Sequence, residues 1–312
     1  MLESLAPKAE ELVERHMQTR KMWMPHEFVP WTLGQDYEQS YEWQADDFPM
    51  PDEVRSALFV NLLTEDNLPF YVRDIDEFAG KDGIWRHWTG VWTYEEQRHS
   101  YAMRTYIEAT RAIDPVTLEK AREVQVVGGE VPNVESTIDG FVYVSLQELA
   151  TRIAHLKTGQ KLRELSKESP NERHQIAAQM GYNCLQRIAA DENFHYLFYR
   201  DLVSEAITVD PSKVVLAIQN RVENFAMPGT GIPGFTEHAK RIAKAGIYNP
   251  AIHYQDILVP VVQRHWKVGN ITGLSAEAAQ AQEDIMVRME RLGKIAARLT
   301  SRQGEAALAK VN

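Results

Sequence analysis

Asp191-Glu192-Asn193-Phe194-His195 repeats in kind an earlier stretch, Glu95-Glu96-Gln97-Arg98-His99. Both read acid, Glu, two residues, His. Residues three apart on an α-helix lie on one face, so each Glu and its His can address a single ion from one turn. Two such helices facing each other make half of a metal cage. Of the ten His residues, His99 and His195 alone have Glu three places before them.

Each motif interrupts an apolar stripe. Trp85, Trp88, Trp92, Glu96, His99, Met103 and Tyr106 step by three or four, as do Ala177, Gly181, Cys184, Ile188, Glu192, His195, Tyr199 and Leu202. Such stripes face a core. A carboxylate there costs several kcal/mol unless it is paired or bound to a cation. Two buried Glu-His pairs therefore ask for metal.

Two more acids share this placement. Glu65 falls in a stripe that starts near Asp52, read as an N-cap, and includes Val54, Leu58 and Leu62; Pro69 should bend or break that helix one turn later. Glu148 lies on a face with Phe141, Val144, Thr151 and His155, in a helix expected to begin near Asn133. The order Glu, Glu-x-x-His, Glu, Glu-x-x-His over four helices is that of ferritin-like di-iron carboxylate bundles. The expected fold is all-α: a ferritin-like four-helix bundle over 52–207, preceded by a helix and a Pro-rich arm (1–51) and followed by accessory helices and a tail (208–312), in one domain.

The candidate ligands are Glu65, Glu96, His99, Glu148, Glu192 and His195. Four carboxylates balance two ferrous ions, and two neutral imidazoles add coordination without charge. Oxygen-rich sites with imidazole suit Fe or Mn. Zinc would bring no redox chemistry. Metal-bound imidazoles are usually held by their other nitrogen. Glu95 and Asp191 each precede a candidate Glu and point about 100° away from it. The expectation is that each orients the His of the opposite helix, Asp191 holding His99 and Glu95 holding His195.

Composition narrows the function. The 312 residues are 44% hydrophobic and 25% charged with net charge −10, which suits a globular chain and argues against a nucleic-acid binder. The single Cys, Cys184, precludes an internal disulfide and suits a reducing compartment. The first twenty residues lack the apolar core of a signal peptide, and no apolar run approaches the roughly 20 residues of a membrane span. A cytoplasmic location is expected. Further reading places a helix over 8–20, an irregular arm over 23–51, helices near 83–112, 116–126 and 172–207, and another opening at Asp210-Pro211. A loop spans 227–234, and Ser275 caps a last helix to about 302, before an Ala/Lys-rich tail.

These strings resemble the soluble acyl-[acyl-carrier-protein] desaturases of plant plastids and actinobacteria over most of residues 20–270. The likeness is carried by Trp23-x-Pro25 with Phe28-x-Pro30, by Thr64-Glu65-Asp66-Asn67-Leu68-Pro69 and by Trp92-Thr93-x-Glu95-Glu96-x-Arg98-His99. It continues in Gln147-Glu148-x-Ala150-Thr151 and Ala190-Asp191-Glu192-x-x-His195. The resemblance implies the same six ligands, two Fe ions per subunit with O2 as co-substrate, and a ferritin-like homodimer. It gives Thr151 a place beside the oxygen-binding face, and puts Trp23 and Asp191 on an electron route from a ferredoxin or similar donor. The implied reaction sets a cis double bond into a saturated acyl chain on acyl carrier protein, in fatty acid biosynthesis. Segment 127–138 and the C-terminal third depart from the plant pattern, and the absence of a plastid transit peptide points to a bacterial member.

Aromatic and Met side chains near the motifs, among them Trp92, Met103, Phe141 and Phe198, are candidates to line an acyl channel. Three rivals share the cage. A radical-generating reductase subunit has Tyr one turn after its first His, where this chain has Met103. A ferritin-like oxidase or iron store would not need the arm or the C-terminal extension. A degenerate homologue that only binds acyl carrier protein would not need a complete ligand set.

Overall fold

The computed structural model describes residues 1–38 and 40–308, and all the regular structure among them is helical. Helix α1 spans Leu2–Thr19, and the arm after it holds short 3-10 turns. The bundle is built from α2 (Asp52–Glu65) with α3 (Leu68–Ala79), α4 (Gly83–Thr110), α6 (Thr137–Glu168) and α7 (Glu172–Val209), with α5 (Pro115–Gly128) linking α4 to α6. Beyond it lie α8 (Pro211–Asn224), α9 (Phe235–Lys244), α10 (Pro250–Ile252), which continues as a π-helix over His253–His265, and α11 (Ala276–Leu308). The tail expected after Arg302 is helical backbone to Leu308, and its last four residues lie outside the described set.

Local chemistry sets most of these ends. Side chains of Asp114, Ser136, Asn171 and Asp210 accept backbone N–H bonds at the starts of α5, α6, α7 and α8. Each such cap is worth about 1 kcal/mol. Because Ser136 caps α6, that helix begins at Thr137 and not near Asn133, which leaves Pro132 and Asn133 in a non-helical segment. Asp52 is not a cap either; Pro51 takes that place, and Asp52 is the first helical residue, where an acid suits the positive helix end. Helix α1 starts at Leu2, earlier than the pattern suggested, and passes through Pro7. Pro69 falls at the start of α3, where its missing N–H has no helical partner to lose. The break therefore comes at Asp66–Asn67, and Glu65 is the last residue of α2.

The core is split along the bundle axis. One apolar cluster holds Trp85, Trp88 and Trp92 of α4 with Phe141 of α6 and Phe198 and Tyr199 of α7. The other holds Ala102, Met103 and Tyr106 of α4 with Leu162 of α6 and Cys184, Leu185 and Ile188 of α7. Between them runs a buried polar layer of Glu95, Glu96, Arg98, His99, Glu148, Thr151, His155, Asp191, Glu192 and His195. Three helices change from apolar to polar at one level and back again. The site is that level.

A second buried ion pair fastens α8 to the start of α6. Arg221 Nε donates to Asp139 Oδ1 at 2.7 Å, with both side chains about 5% exposed or less. Asp139→Ala would leave the guanidinium buried without its partner, so the urea unfolding free energy should fall by roughly 3–5 kcal/mol. An unchanged unfolding midpoint would show that the pair contributes nothing.

Candidate metal centre

The six side chains named from spacing meet at this level. Ligand-type atoms of Glu65, Glu96, His99 and Glu192 lie within 4.8 Å of one another, and so do those of Glu96, Glu148, Glu192 and His195. Glu96 and Glu192 belong to both groups. Glu192 Oε1 sits 3.4 Å from His99 Nδ1, while its Oε2 sits 3.7 Å from His195 Nδ1, so one carboxylate spans the two groups. Glu96 does the same, at 3.4 Å from His99 Nδ1 and 2.8 Å from His195 Nδ1.

Several of these atoms are buried yet make no hydrogen bond: both imidazole Nδ1 atoms, both Glu192 oxygens and Glu96 Oε1. Even the 2.8 Å approach of His195 Nδ1 to Glu96 Oε1 lacks hydrogen-bond geometry. Buried polar groups rarely go unpaired. Converging on common points, they fit two cations.

Electrostatics within the layer are consistent with that fit. Burial, reinforced by repulsion from Glu96 and Glu192, pushes the Glu65 carboxyl well above the usual range. Burial and the Glu192 charge do the same to Glu148. Burial also raises Glu192, but the adjacent His195 and His99 imidazoles outweigh this and hold it well below. Divalent cations would remove the repulsion and keep all four acids ionised.

Each imidazole is fixed from behind. His99 Nε2 donates to Asp191 Oδ2 at 3.3 Å, and His195 Nε2 donates to Glu95 Oε2 at 2.9 Å. A carboxylate only accepts, so in each ring the proton sits on Nε2 and the Nδ1 lone pair faces the acids. The two outer acids are held differently. Asp191 accepts from Trp23 Nε1 at 2.6 Å and Arg98 at 2.9 Å, and pairs with Arg187. Glu95 accepts from His16 Nε2 at 3.0 Å and Arg20 at 2.7 Å, so α1 closes that side.

Trp23 is buried, and its indole lies nearly parallel to the His99 ring, 6.3 Å away. Arg98 stacks on its face at 4.8 Å. Thr151 is buried one turn after Glu148, its hydroxyl accepting from Gln147 at 2.8 Å. The two outermost acids gain a donor each: Trp92 Nε1 to Glu148 at 3.1 Å, and His155 Nε2 to Glu65 at 3.2 Å. Asn61 holds the far nitrogen of His155, and burial pushes that ring down to about 4, so it is a neutral donor. Sequence reasoning gave no role to His16, Arg20 or Asn61, and placed His155 on the face of Glu148 without seeing that it holds Glu65. His16 could have been noticed, because it sits on the apolar stripe of Leu5, Ala9, Leu12 and Val13.

A cleft opens beside the acids, lined by Glu65, Trp92, Glu96, Glu148, Thr151 and Glu192 at its inner end. Trp92 is thus a wall of the cleft, whereas Met103, Phe141 and Phe198 belong to the packed core.

The family model described as fatty acid desaturase matches residues 1–311. The chain belongs to this family. The desaturase is 35% identical over 302 residues to a Mycobacterium tuberculosis protein provisionally named acyl-[acyl-carrier-protein] desaturase DesA1, covering 94% of this chain and 85% of that one. It is 31% identical to the chloroplastic stearoyl-[acyl-carrier-protein] 9-desaturase of Simmondsia chinensis, covering 96% and 77%. It is 30% identical to the corresponding Ricinus communis protein, covering 98% and 78%. The X-ray structure of DesA2 from Mycobacterium tuberculosis, 23% identical, has the same fold, with a TM-score of 0.65 over 90% of this chain and 98% of that one. The desaturase is an oxidoreductase of lipid metabolism, and among its described residues no helix is long and apolar enough to cross a membrane.

Proposed function

We propose that the desaturase introduces a cis double bond into a saturated fatty acyl chain carried on acyl carrier protein, using O2 and two Fe ions held by Glu65, Glu96, His99, Glu148, Glu192 and His195. The observation that carries this is the pair of four-residue groups sharing Glu96 and Glu192, with unpaired atoms aimed inward, at the inner end of an apolar cleft. When bound, such a pair of irons supplies an oxidant able to remove hydrogens from an unactivated chain. The residues do the rest. Asp191 and Glu95 keep the imidazole protons on Nε2, Trp92 and His155 orient the two outermost carboxylates, and the apolar clusters on either side exclude water. Thr151 places its hydroxyl at the cleft wall beside Glu148. Electrons from a ferredoxin or similar donor pass by way of Trp23 and Asp191 to His99. Family resemblance supports a homodimer and a cytoplasmic location.

The test is direct. Carrier protein loaded with saturated chains of graded length, incubated with reduced ferredoxin, O2 and the iron-loaded protein, should give fatty acids two mass units lighter. Anaerobic or iron-stripped samples should give none. Saturated chains recovered unchanged under all conditions would exclude the proposal.

Acyl carrier proteins are acidic and this chain is acidic overall, so docking needs a local basic patch and should weaken with salt. Lys240, Arg241 and Lys244 on α9 are exposed, as are Arg291, Lys294 and Arg298 on α11, beside half-buried Arg288. Helix α9 also lines an apolar cleft that reaches the site. Reversing its three charges should therefore raise KM for the acyl carrier protein about tenfold, and reversal on α11 should change it little. The opposite ranking would move the docking surface to α11.

A further inference from the structure

Two clefts reach the acid layer from different sides. A second cleft lies beside the one described above, and the two share Thr64, Glu65, Thr151 and Pro228. Both clefts reach Glu65 and Thr151, and their far ends differ in chemistry.

The second cleft ends against α9, which turns Phe235, Ala239 and Ile242 inward while Lys240, Arg241 and Lys244 stay exposed. The first ends between α3 and the non-helical segment before α6. There its wall is apolar near the site, at Ile75, Phe78, Tyr143 and Val144, but farther out includes Asp74. The Asp74 side chain is 23% exposed and paired with Arg73, itself 58% exposed. A pocket that closes around a methyl end has no use for a carboxylate, because charge without partners is costly to bury. Asp74 lies on a rim. Val131, Pro132 and Val134, the other outer residues, are likewise only half-buried. The charged residue in this outer wall is an acid, Asp74, whereas α9 exposes Lys240, Arg241 and Lys244 beside the other cleft. An acidic carrier is favoured at α9.

We propose that the two clefts join past Glu65 and Thr151 into one passage open at both ends, so that the acyl chain enters at α9 and its methyl end leaves between α3 and the segment 131–134. The substrate class is then acyl chains longer than the passage itself. This rests on the acyl-carrier reading above. A blind pocket rejects a chain that overfills it by about tenfold or more per added methylene. An open one does not, because the added carbons meet solvent and not a wall.

The experiment measures kcat/KM for carrier protein loaded with saturated chains lengthened two carbons at a time, well beyond the first that gives full activity. Wild-type kcat/KM should stay level to within about threefold as the chain grows, since no wall is met. Val131→Trp and Val134→Trp, made separately at half-exposed rim positions, should each lower the ratio of long-chain to short-chain kcat/KM by about tenfold or more. Iron content and circular dichroism of each variant accompany the rates. A sharp wild-type cut-off, with shorter chains still desaturated, would overturn the open passage and leave the acyl-carrier reading standing. So would rim variants with an unchanged ratio. Product from no chain of any length would overturn both.

Discussion

Glu192→Ala should bring metal below two ions per chain and lower desaturation by at least about a hundredfold, because Glu192 belongs to both four-residue groups. Loss of residues that merely hold metal ligands already costs about 10–100-fold. Loss of folding is not the reason expected. The Ala variant relieves the repulsion felt by Glu65 and Glu148 but also removes a carboxylate that the two imidazoles hold ionised, so the metal-free variant should melt at or modestly below the metal-free parent. Its helical circular dichroism should be unchanged. His195→Ala should lose metal as well, with one group affected more than the other. Full iron content and normal turnover in the Glu192 variant would remove the site from consideration.

Trp23→Leu should separate two roles that the geometry allows. The indole donates to Asp191 and stacks beside His99 and Arg98, contacts that anchor the arm and that the proposed electron route would use. In the variant Asp191 still has Arg98, Arg187 and His99, so the carboxylate and the imidazole behind it should stay in position. Iron should remain at two per chain. Stability should fall by less than the roughly 3–5 kcal/mol of a Trp→Ala change, since Leu refills part of the space. On the electron-route account, reduction by ferredoxin slows by about tenfold, the lower end for groups that support metal ligands, while dithionite reduces the site at the parent rate. Equal rates with both reductants in a folded, iron-loaded variant would leave the indole as an anchor alone.

The convergence of the six side chains was legible because helical periodicity fixes which residues share a face, and an acid inside an apolar stripe is conspicuous. The pairing of Asp191 with His99 and Glu95 with His195 was legible for a related reason: an acid one residue before a core-facing Glu points toward a neighbouring helix. The pairing of His16 and Arg20 with Glu95 was not. They lie about 75–80 residues from Glu95, on a helix whose docking depends on tertiary packing and not on local pattern. The π-helix over His253–His265 escaped for a different reason, since its i→i+5 bonds follow neither periodicity sought in a sequence. The helix starts at Asp52 and Thr137 were misplaced, the first by one residue and the second by about four. Several polar residues there could have served as the cap, and only the backbone course decides among them. The two clefts beside the site could not be read at all, because their walls come from α2, α3, α4, α6, α7, α9 and the loops between them, brought together by the fold.

The central claim is that two irons occupy the shared layer of acids and imidazoles. Anomalous diffraction from crystals of the iron-loaded protein, recorded on both sides of the iron absorption edge, tests it most directly. The account predicts two peaks per chain, one among Glu65, Glu96, His99 and Glu192 and the other among Glu96, Glu148, Glu192 and His195. A single peak at the neighbouring His16, Glu95 and His195 group, or no iron signal within the bundle of a fully loaded sample, would contradict it.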